Sequence, residues 1–554
     1  MKKFVLLVTT IFLANAAVFA ESNSENIKSW QADKFGLFIH WGPVSLKATE
    51  ISWSRQTDPD KQRLQVWKNL YGSIPAEEYD NLYKNFNPVQ FDPQQWVQIA
   101  KDAGMKYIVF TTKHHDGFCN FDSKYTDYKI TSPQSPYGKD IVKQLADACH
   151  KAGLKLGFYY SQPDWHNPDY FNGDRHEKYV EYLHNQVREL CTNYGKLDII
   201  WFDGLDVPEK EWKSDELLKM IRQLQPGIII NNRTGLPADF DTPEQVVGGF
   251  QNNRPWESCM TIGTSWSYKV DDNIKSKKEC IQTLVKVVGG DGNLLFNVGP
   301  MPDGRIEPQQ VERLREMGDW LKKYGKSIYD TKGGPFKPGE YGVSTHKGNI
   351  IYLHVTNWFG ENLTLPAIGK KIKKVEVLTG GKAEISQTQD SIKIKLPLKY
   401  QQSVDTIIQL TLDGNAAEIT PVNVPSQSVA SHKPVEASNV YQNDIKYDAQ
   451  KAIDDDMTTR WATDDATKQA WLEIDLQQPT EISSALIIQE CGQRIKKYQL
   501  EKFTDDKWES FYYSDNVQME NAVKFEPVTV TRIRLNILEA VEGPTIAEFR
   551  IFVP

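Results

Sequence analysis

The sequence predicts a multidomain chain, a (β/α)8-like barrel followed by two β-sandwich domains. Three observations predict it. Across residues 30–330, short apolar runs alternate with segments of helical period, as in βα units repeated around a parallel sheet. Beyond Gly333-Gly334-Pro335 the helical period gives way to period-two alternation with Gly-rich turns. The 554 residues also correspond to three or four domains at about 150 residues each. With 40% apolar and 25% charged residues, packed cores are affordable and wholesale disorder is excluded.

In chain order, Lys2 and Lys3 precede an apolar stretch from Phe4 to Leu13, and Val18-Phe19-Ala20 offers a cleavage site before Glu21. Residues 1–20 therefore read as a secretory signal peptide, and the expected localisation is exported, periplasmic or secreted. No other run approaches 18 apolar residues, so no membrane insertion is expected. The barrel is assigned to residues 21–333. Its expected strands are Gly36–Trp41, Lys106–Lys113, Lys155–Ser161, Asp198–Asp203, Gly227–Asn232, Val246–Phe250 and Leu294–Val298. Seven strands favour a barrel over an open sheet, although no eighth stands out. Helices are expected from the Asp92-Pro93 start to Gly104, and around Val180, Leu183, Val187, Leu190 and Tyr194, which share one face. Residues 334–413 read as a small β-sandwich and 414–435, rich in Ala, Pro, Ser and Val, as a linker. Residues 436–554 read as a second sandwich, with strands such as Ala470–Leu476 and Val530–Ile537. The six cysteines are scattered without a CxxC pair, and buried free thiols are expected.

The net charge of −8, with no long run of one sign, argues against a nucleic-acid partner. The oligomeric state is not legible. Chemistry is concentrated in the first half, where ten of the 15 Trp and seven of the ten His lie before residue 270 and residue 200 respectively. Polar groups end the expected strands: His40, then His114, His115 and Asp116, then Tyr159, Asp203, and Asn231, Asn232 and Arg233. In a barrel the carboxyl ends of the strands converge on the face that carries active sites. Polar residues there could be merely solvated, but this does not explain His, Trp and Asp recurring together. Neither a GxSxG elbow nor a GxxxxGK loop is present. No metal is expected, because neighbours such as His114 and His115 on a strand point to opposite faces. Imidazoles, carboxylates and Trp rings together suit a sugar, whose apolar face packs on rings while its hydroxyls are hydrogen-bonded. Glycoside hydrolysis needs two carboxyl groups. Asp203, held after an apolar strand and near Arg233, suits the ionised one. Glu257, directly after Trp256, suits the protonated one. Glu244 in a Pro-led loop and Glu279 at a Lys-rich helix start are poorer candidates.

The segments WQADKFGLFIHWGPVS, GMKYIVFTTKHHDGF, KLGFYYSQPDW and LDIIWFDG, in this order, resemble the α-L-fucosidases of glycoside hydrolase family 29. The resemblance runs from about Trp30 to Gly333. It implies an irregular (β/α)8-like barrel and a retaining two-step mechanism without a catalytic cofactor. Asp203 matches the family nucleophile. His40, His114, His115, Tyr159, Trp201 and Arg233 match fucose-contacting positions. Trp53 matches a further pocket Trp, although Ser52 stands where many relatives carry Glu. PWESCMT and TSWSY resemble the branch acting on α-1,3/1,4-linked fucose, with Glu257 as acid/base, so fucosylated glycans are the expected partners. The C-terminal AIDDDMTTRWATDDATKQAWLEIDL and AEFRIF resemble the discoidin-like domain and carbohydrate-binding module family 32. Such modules often hold a structural Ca²⁺, here near Asp454 to Thr459 with Glu548. The alternative reading is a catalytically silent fucose- or galactose-type glycan-binding protein on the same fold.

Overall fold

The computed structural model describes residues 23–56, 74–170, 172–204, 208–247 and 249–554. The expected signal peptide lies outside them. Contacts divide the chain into two compact units, Met1–Lys337 with Val343–Tyr352, and Pro338–Gly342 with Leu353–Pro554. Among the described residues no helix is long and apolar enough to cross a membrane.

The first unit is built on seven parallel strands: β1 (Phe35–Ile39), β2 (Tyr107–Lys113), β3 (Lys155–Ser161), β4 (Ile199–Asp203), β5 (Ile229–Ile230), β6 (Glu257–Thr261) and β7 (Asn293–Val298). Their order is β5-β4-β3-β2-β1-β7-β6, the cyclic order of a barrel with a gap between β5 and β6. Single parallel bridges span that gap, from Asn231 to Phe240, Asp241 to Trp256 and Glu244 to Cys259. Residues 240–244 thus take the eighth position as an irregular edge, and β1–β7 form a half-barrel sheet. Among its described residues, the expected strand Val246–Phe250 is not a strand. Pro243 within the bridging segment removes a donor that a regular ladder would need, so pairing there is piecemeal. Conversely, ESCMT, not among the expected strands, is β6 and buried at every position.

The helices follow their sequence signals. Asp92 caps Pro93–Asp102 by accepting from the backbone N–H groups of Gln94 and Gln95, which satisfies two otherwise orphaned donors. The stripe from Val180 to Leu190 lies on His176–Asn193, with Val180, Leu183, Val187 and Leu190 buried and Tyr194 just past the helix end. Ser276 and Glu279 form a capping box at Lys277–Gly289, which occupies Glu279 structurally.

Alternation along the strands decides what faces the barrel axis. Phe38, Tyr107, Val109, Tyr159, Ile199, Trp201, Cys259 and Leu295 form one buried cluster with Trp30 and Phe240. Gly36 is required by close approach, because a Cβ there would lie 2.2 Å from the Tyr107 ring.

Residues 332–412 carry two further sheets, one of five strands and one of three. Their strands are β8 (Lys332–Gly333), β9 (Gly342–Lys347), β10 (Ile350–Val355), β11 (Asn362–Pro366), β12 (Ile372–Val377), β13 (Glu384–Gln387), β14 (Ser391–Lys395) and β15 (Thr406–Leu412). The C-terminal domain is an antiparallel β-sandwich made of β16 (Val435–Ala437), β17 (Trp461–Ala462), β18 (Ala470–Gln489), β19 (Ile495–Thr504), β20 (Lys507–Ser514), β21 (Glu520–Ala540) and β22 (Thr545–Phe552). The strands expected at 470–476 and 530–537 are parts of β18 and β21, which pair over nearly their whole length. All six cysteines are free, five of them buried and Cys491 exposed.

Candidate active site

Residues far apart in sequence meet at the carboxyl ends of the strands. One pocket is lined by His40, Trp53, His114, His115, Tyr159, Trp201, Asp203 and Arg233, together with Phe38, Glu244, Cys259 and Trp266. All but one of the residues read from the sequence as site residues are therefore in it.

Asp203 ends β4 and is 8% exposed. The Tyr159 hydroxyl donates to its Oδ2 at 2.8 Å and Arg233 Nη1 to its Oδ1 at 3.0 Å. Burial alone would raise its pKa, but the charge of Arg233 and the hydrogen bonds from Tyr159 and Arg233 outweigh burial and hold it below the usual carboxylate value. Asp203 is thus kept ionised. Its backbone is fixed from the next strand. β5 has only two residues, and the Asn231 side chain continues the ladder, its Oδ1 accepting from the N–H of Phe202 and its Nδ2 donating to the Phe202 carbonyl. Gly204 in the WFDG motif is also dictated by space, since a Cβ would sit 2.4 Å from the Arg233 carbonyl.

Arg233 organises the pocket. Its Nη2 donates to Glu244 Oε2 at 2.7 Å and its Nε to Thr242 Oγ1 at 3.1 Å. The guanidinium lies over the Trp201 ring, 4.8 Å from its centroid, a favourable cation–π placement. One cation therefore bonds two carboxyl groups, Asp203 on a regular strand end and Glu244 in the irregular bridge.

The three histidines are neutral. Burial pushes His40 down to about 3 and His115 to about 4, and burial beside His115 and His40 lowers His114 strongly. His40 Nδ1 is 2.7 Å from Asn297 Oδ1, and the Asn297 amide donates to the Trp266 carbonyl, so His40 donates there and keeps Nε2 as an acceptor. Likewise the Ser161 hydroxyl donates to the Pro163 carbonyl and accepts from His115 Nδ1 at 2.6 Å. His40, neutral and with a free acceptor nitrogen, suits a hydroxyl group as ligand, whereas His115 Nε2 lies 3.5 Å from Asp203 Oδ2. Ser52, the departure noted in the sequence, is buried and tied to His114 Nδ1 at 2.6 Å while accepting from the Asp116 N–H.

The expectation that His114 and His115 diverge is corrected. β2 ends at Lys113, so both follow the strand and its alternation no longer applies. His114, His115 and Asp203 place ligand atoms within 4.8 Å of one another. Arg233 already neutralises the one anionic member, which disfavours a cation there.

Glu257, expected as the acid/base, is not in the pocket. It is the first residue of β6, four residues ahead of the strand's carboxyl end. At about 3.3 Å per residue, that is about 13 Å along the strand from the catalytic face. It is fully buried, with Tyr107 donating to it, and burial raises its pKa to about 8. Trp256 is likewise in the core, its N–H donating to the Gln251 carbonyl. The pocket carboxylate is Glu244, whose side chain is 39% exposed.

Sequence reading also missed Trp266, 4.8 Å from the His40 ring. Its loop is held by buried Glu50, which accepts from Ser265 Oγ and the Trp266 N–H. A lone buried Glu serving a distant loop leaves no trace in spacing.

The arrangement is an ionised, rigidly held carboxylate facing a second carboxyl group, inside a cup of rings and neutral imidazoles. That is the equipment for cleaving a glycosidic bond. Comparison with known proteins agrees. The family profile described as Alpha-L-fucosidase matches residues 15–326, and that of the F5/8 type C domain matches residues 434–549. Tissue alpha-L-fucosidase of Mus musculus is 32% identical over 419 residues, covering 68% of this chain and 89% of that protein. The solved alpha-L-fucosidase isoenzyme 1 from Paenibacillus thiaminolyticus is 36% identical at a TM-score of 0.62, covering 71% of this chain and 100% of that one. A solved alpha-L-fucosidase GH29 from Bacteroides thetaiotaomicron is 28% identical at a TM-score of 0.62, with 70% and 96% covered. With more than half of its residues matched and this pocket at the strand ends, the chain belongs to the α-L-fucosidase family, glycoside hydrolase family 29, as a fucose-releasing glycosidase carrying a C-terminal F5/8 type C domain.

Proposed function

We propose that the chain is a retaining exo-α-L-fucosidase in which Asp203 is the nucleophile and Glu244, rather than Glu257, is the acid/base. The observation that carries this is the single guanidinium of Arg233 bonded to both Asp203 and Glu244. A group that spans both carboxyls keeps them on the scale of the roughly 5–5.5 Å separation a retaining displacement uses. The Bacteroides relative was captured as a trapped covalent intermediate with 2-fluoro-fucosyl fluoride, which supports the same course here. Asp203 attacks the anomeric carbon as the glycosidic bond breaks, and Glu244 gives its proton to the departing oxygen. Glu244 then takes a proton from water, whose oxygen displaces Asp203 and frees fucose. Tyr159 and Arg233 stabilise Asp203 before attack and after its release. The neutral imidazoles accept sugar hydroxyls, and Trp53, Trp201 and Trp266 supply ring faces.

Asp203→Gly should retain the fold by circular dichroism and lose about 10³-fold or more in fucose release, the loss expected when a nucleophile is removed. Glu244→Gln should lose turnover of natural glycans by about 10²–10⁴-fold but keep far more activity on aryl fucosides, whose leaving groups need no proton. Equal losses on both substrates would remove Glu244 from the acid role.

The linkage preference we infer is α-1,3/1,4, on fucosylated oligosaccharides or glycoconjugates, supported by the PWESCMT and TSWSY segments. On a panel of α-1,2-, α-1,3-, α-1,4- and α-1,6-fucosylated oligosaccharides, kcat/KM should be highest for the α-1,3 and α-1,4 members. A leading α-1,2 or α-1,6 substrate would refute this preference. Export is inferred from residues 1–20, and the processed chain should then begin at Glu21 by mass.

In the C-terminal domain we propose a structural Ca²⁺ near Asp454, Asp455 and Glu548, displacing Arg550, which pairs with Glu548 and Asp455, and Lys451, which pairs with Asp454. Glu548 is fully buried and its Oε1 has no hydrogen-bond partner. Burial together with neighbouring Asp455 and Asp454, against the pull of Arg550, raises its pKa to about 8. A hard cation held by these carboxylates would relieve that repulsion. Adding Ca²⁺ to the chelator-treated full chain should raise the melting temperature of the C-terminal transition, and Glu548→Gln should remove the shift. No shift at millimolar Ca²⁺ would eliminate the site.

A further inference from the structure

Glu257 is a buried acid that this mechanism does not use, and its surroundings suggest what it does. Its carboxyl sits in the barrel floor beside the rings of Tyr107, Trp30 and Trp201. The Tyr107 hydroxyl donates to Oε2. Oε1 and the indole N–H groups of Trp201 and Trp30 are all buried without a hydrogen-bond partner, and both indoles are near enough to the carboxyl to lower its pKa. The groups that converge on this carboxyl are thus all donors. Its closest aromatic neighbour in the pocket lining is Trp201, whose ring lies 4.8 Å beneath the Arg233 guanidinium and stacks 5.7 Å from the Tyr159 ring. Arg233 and Tyr159 are the two groups that hydrogen-bond Asp203.

We propose that Glu257 is a positioning residue, whose carboxyl anchors the Trp201 indole so that its ring becomes a fixed platform for Arg233 and, through Arg233, for Asp203. The anchor lies on β6 and the platform on β4, so the floor ties two strands that are not neighbours in the sheet. A small tilt of the ring moves the guanidinium that both carboxyl groups share, and displacements of about 1 Å cost up to about 10²-fold in rate. This inference rests on the reading of Asp203 as nucleophile and goes beyond it.

The sign of the expected pH effect follows from Arg233. Its positive charge holds the Asp203 pKa down, and Asp203 must be ionised to attack, so activity falls as pH drops through that depressed value. Loosening Arg233 raises the value and moves the acid limb of kcat/KM to higher pH. Glu257→Leu fills the space without an acceptor, whereas Glu257→Gln keeps a carbonyl acceptor for the indole. The Leu variant should shift the acid limb upward and lose about 10–100-fold in kcat/KM, equally on aryl fucosides and natural glycans. The Gln variant should restore the wild-type limb. An unmoved limb in the Leu variant, whatever its rate, or an equal shift in the Gln variant overturns the proposal. Should the Leu variant fail to fold, Trp201→Phe, which keeps a ring under Arg233 without an N–H, must show the same upward shift, and its absence overturns the proposal. Loss confined to natural glycans in Glu257→Gln would instead identify Glu257 as the acid, overturning both this inference and the role of Glu244. Failure of Glu244 alone is read separately, in Glu244→Gln.

Discussion

The Arg233 guanidinium is the constraint on which the rest of the site depends. It neutralises Asp203, reaches Glu244, and lies on the Trp201 ring. Each contact solves a problem created by another. Asp203 is buried where an unpaired carboxylate would be costly, and pairing with Arg233 keeps it ionised. A buried Arg would be equally costly alone, and two carboxyl groups with a ring beneath offset that cost. Much of the local sequence can be understood as what this arrangement requires: Gly204 so that the Arg233 backbone can approach, Thr242 to take its Nε, and Asn231 to replace the missing ladder beside Phe202.

The histidines follow a different logic. Three imidazoles around one carboxylate would, if protonated, compete with Arg233 for it. Burial prevents this by keeping them neutral, with His40 pushed down to about 3 and His115 to about 4. Their Nδ1 atoms are committed to Asn297, Ser52 and Ser161. What remains toward the pocket is hydrogen-bonding capacity rather than charge, which suits a neutral sugar better than an ion.

The irregular eighth position of the barrel supplies the second carboxyl group. Regular strands present alternate residues to the axis, and their carboxyl ends are crowded with His, Tyr and Asp. The bridge from Phe240 to Glu244 touches its neighbours only at single positions, and such freedom lets Glu244 turn toward Arg233 while remaining open to solvent. Asp203 is buried and held on a regular strand, while Glu244 is on the looser element and half open to solvent. The two carboxyl groups thus differ in burial and in the regularity of the backbone that carries them.

The sequence by itself determined the parallel βα architecture, the following β domains and nearly all the pocket. His40, Tyr159 and Asp203 stand at the carboxyl ends of strands whose apolar runs are visible without coordinates, and Arg233 soon after another. Alternation and strand polarity are local properties, so they can be read locally. Tertiary structure alone decided which glutamate belongs to the pocket. Glu257 was placed in the pocket on the strength of its apolar neighbour Trp256, whereas ESCMT is a strand and Glu257 opens it at the end away from the pocket. Glu244 was undervalued because Pro243 marks irregular backbone, and nothing in its spacing shows that this irregular segment fills the seam of the barrel. Which end of a strand a residue occupies depends on where pairing begins, and pairing is set by neighbours roughly 40 residues away in the chain. That register is a property of the closed sheet, and no single segment contains it.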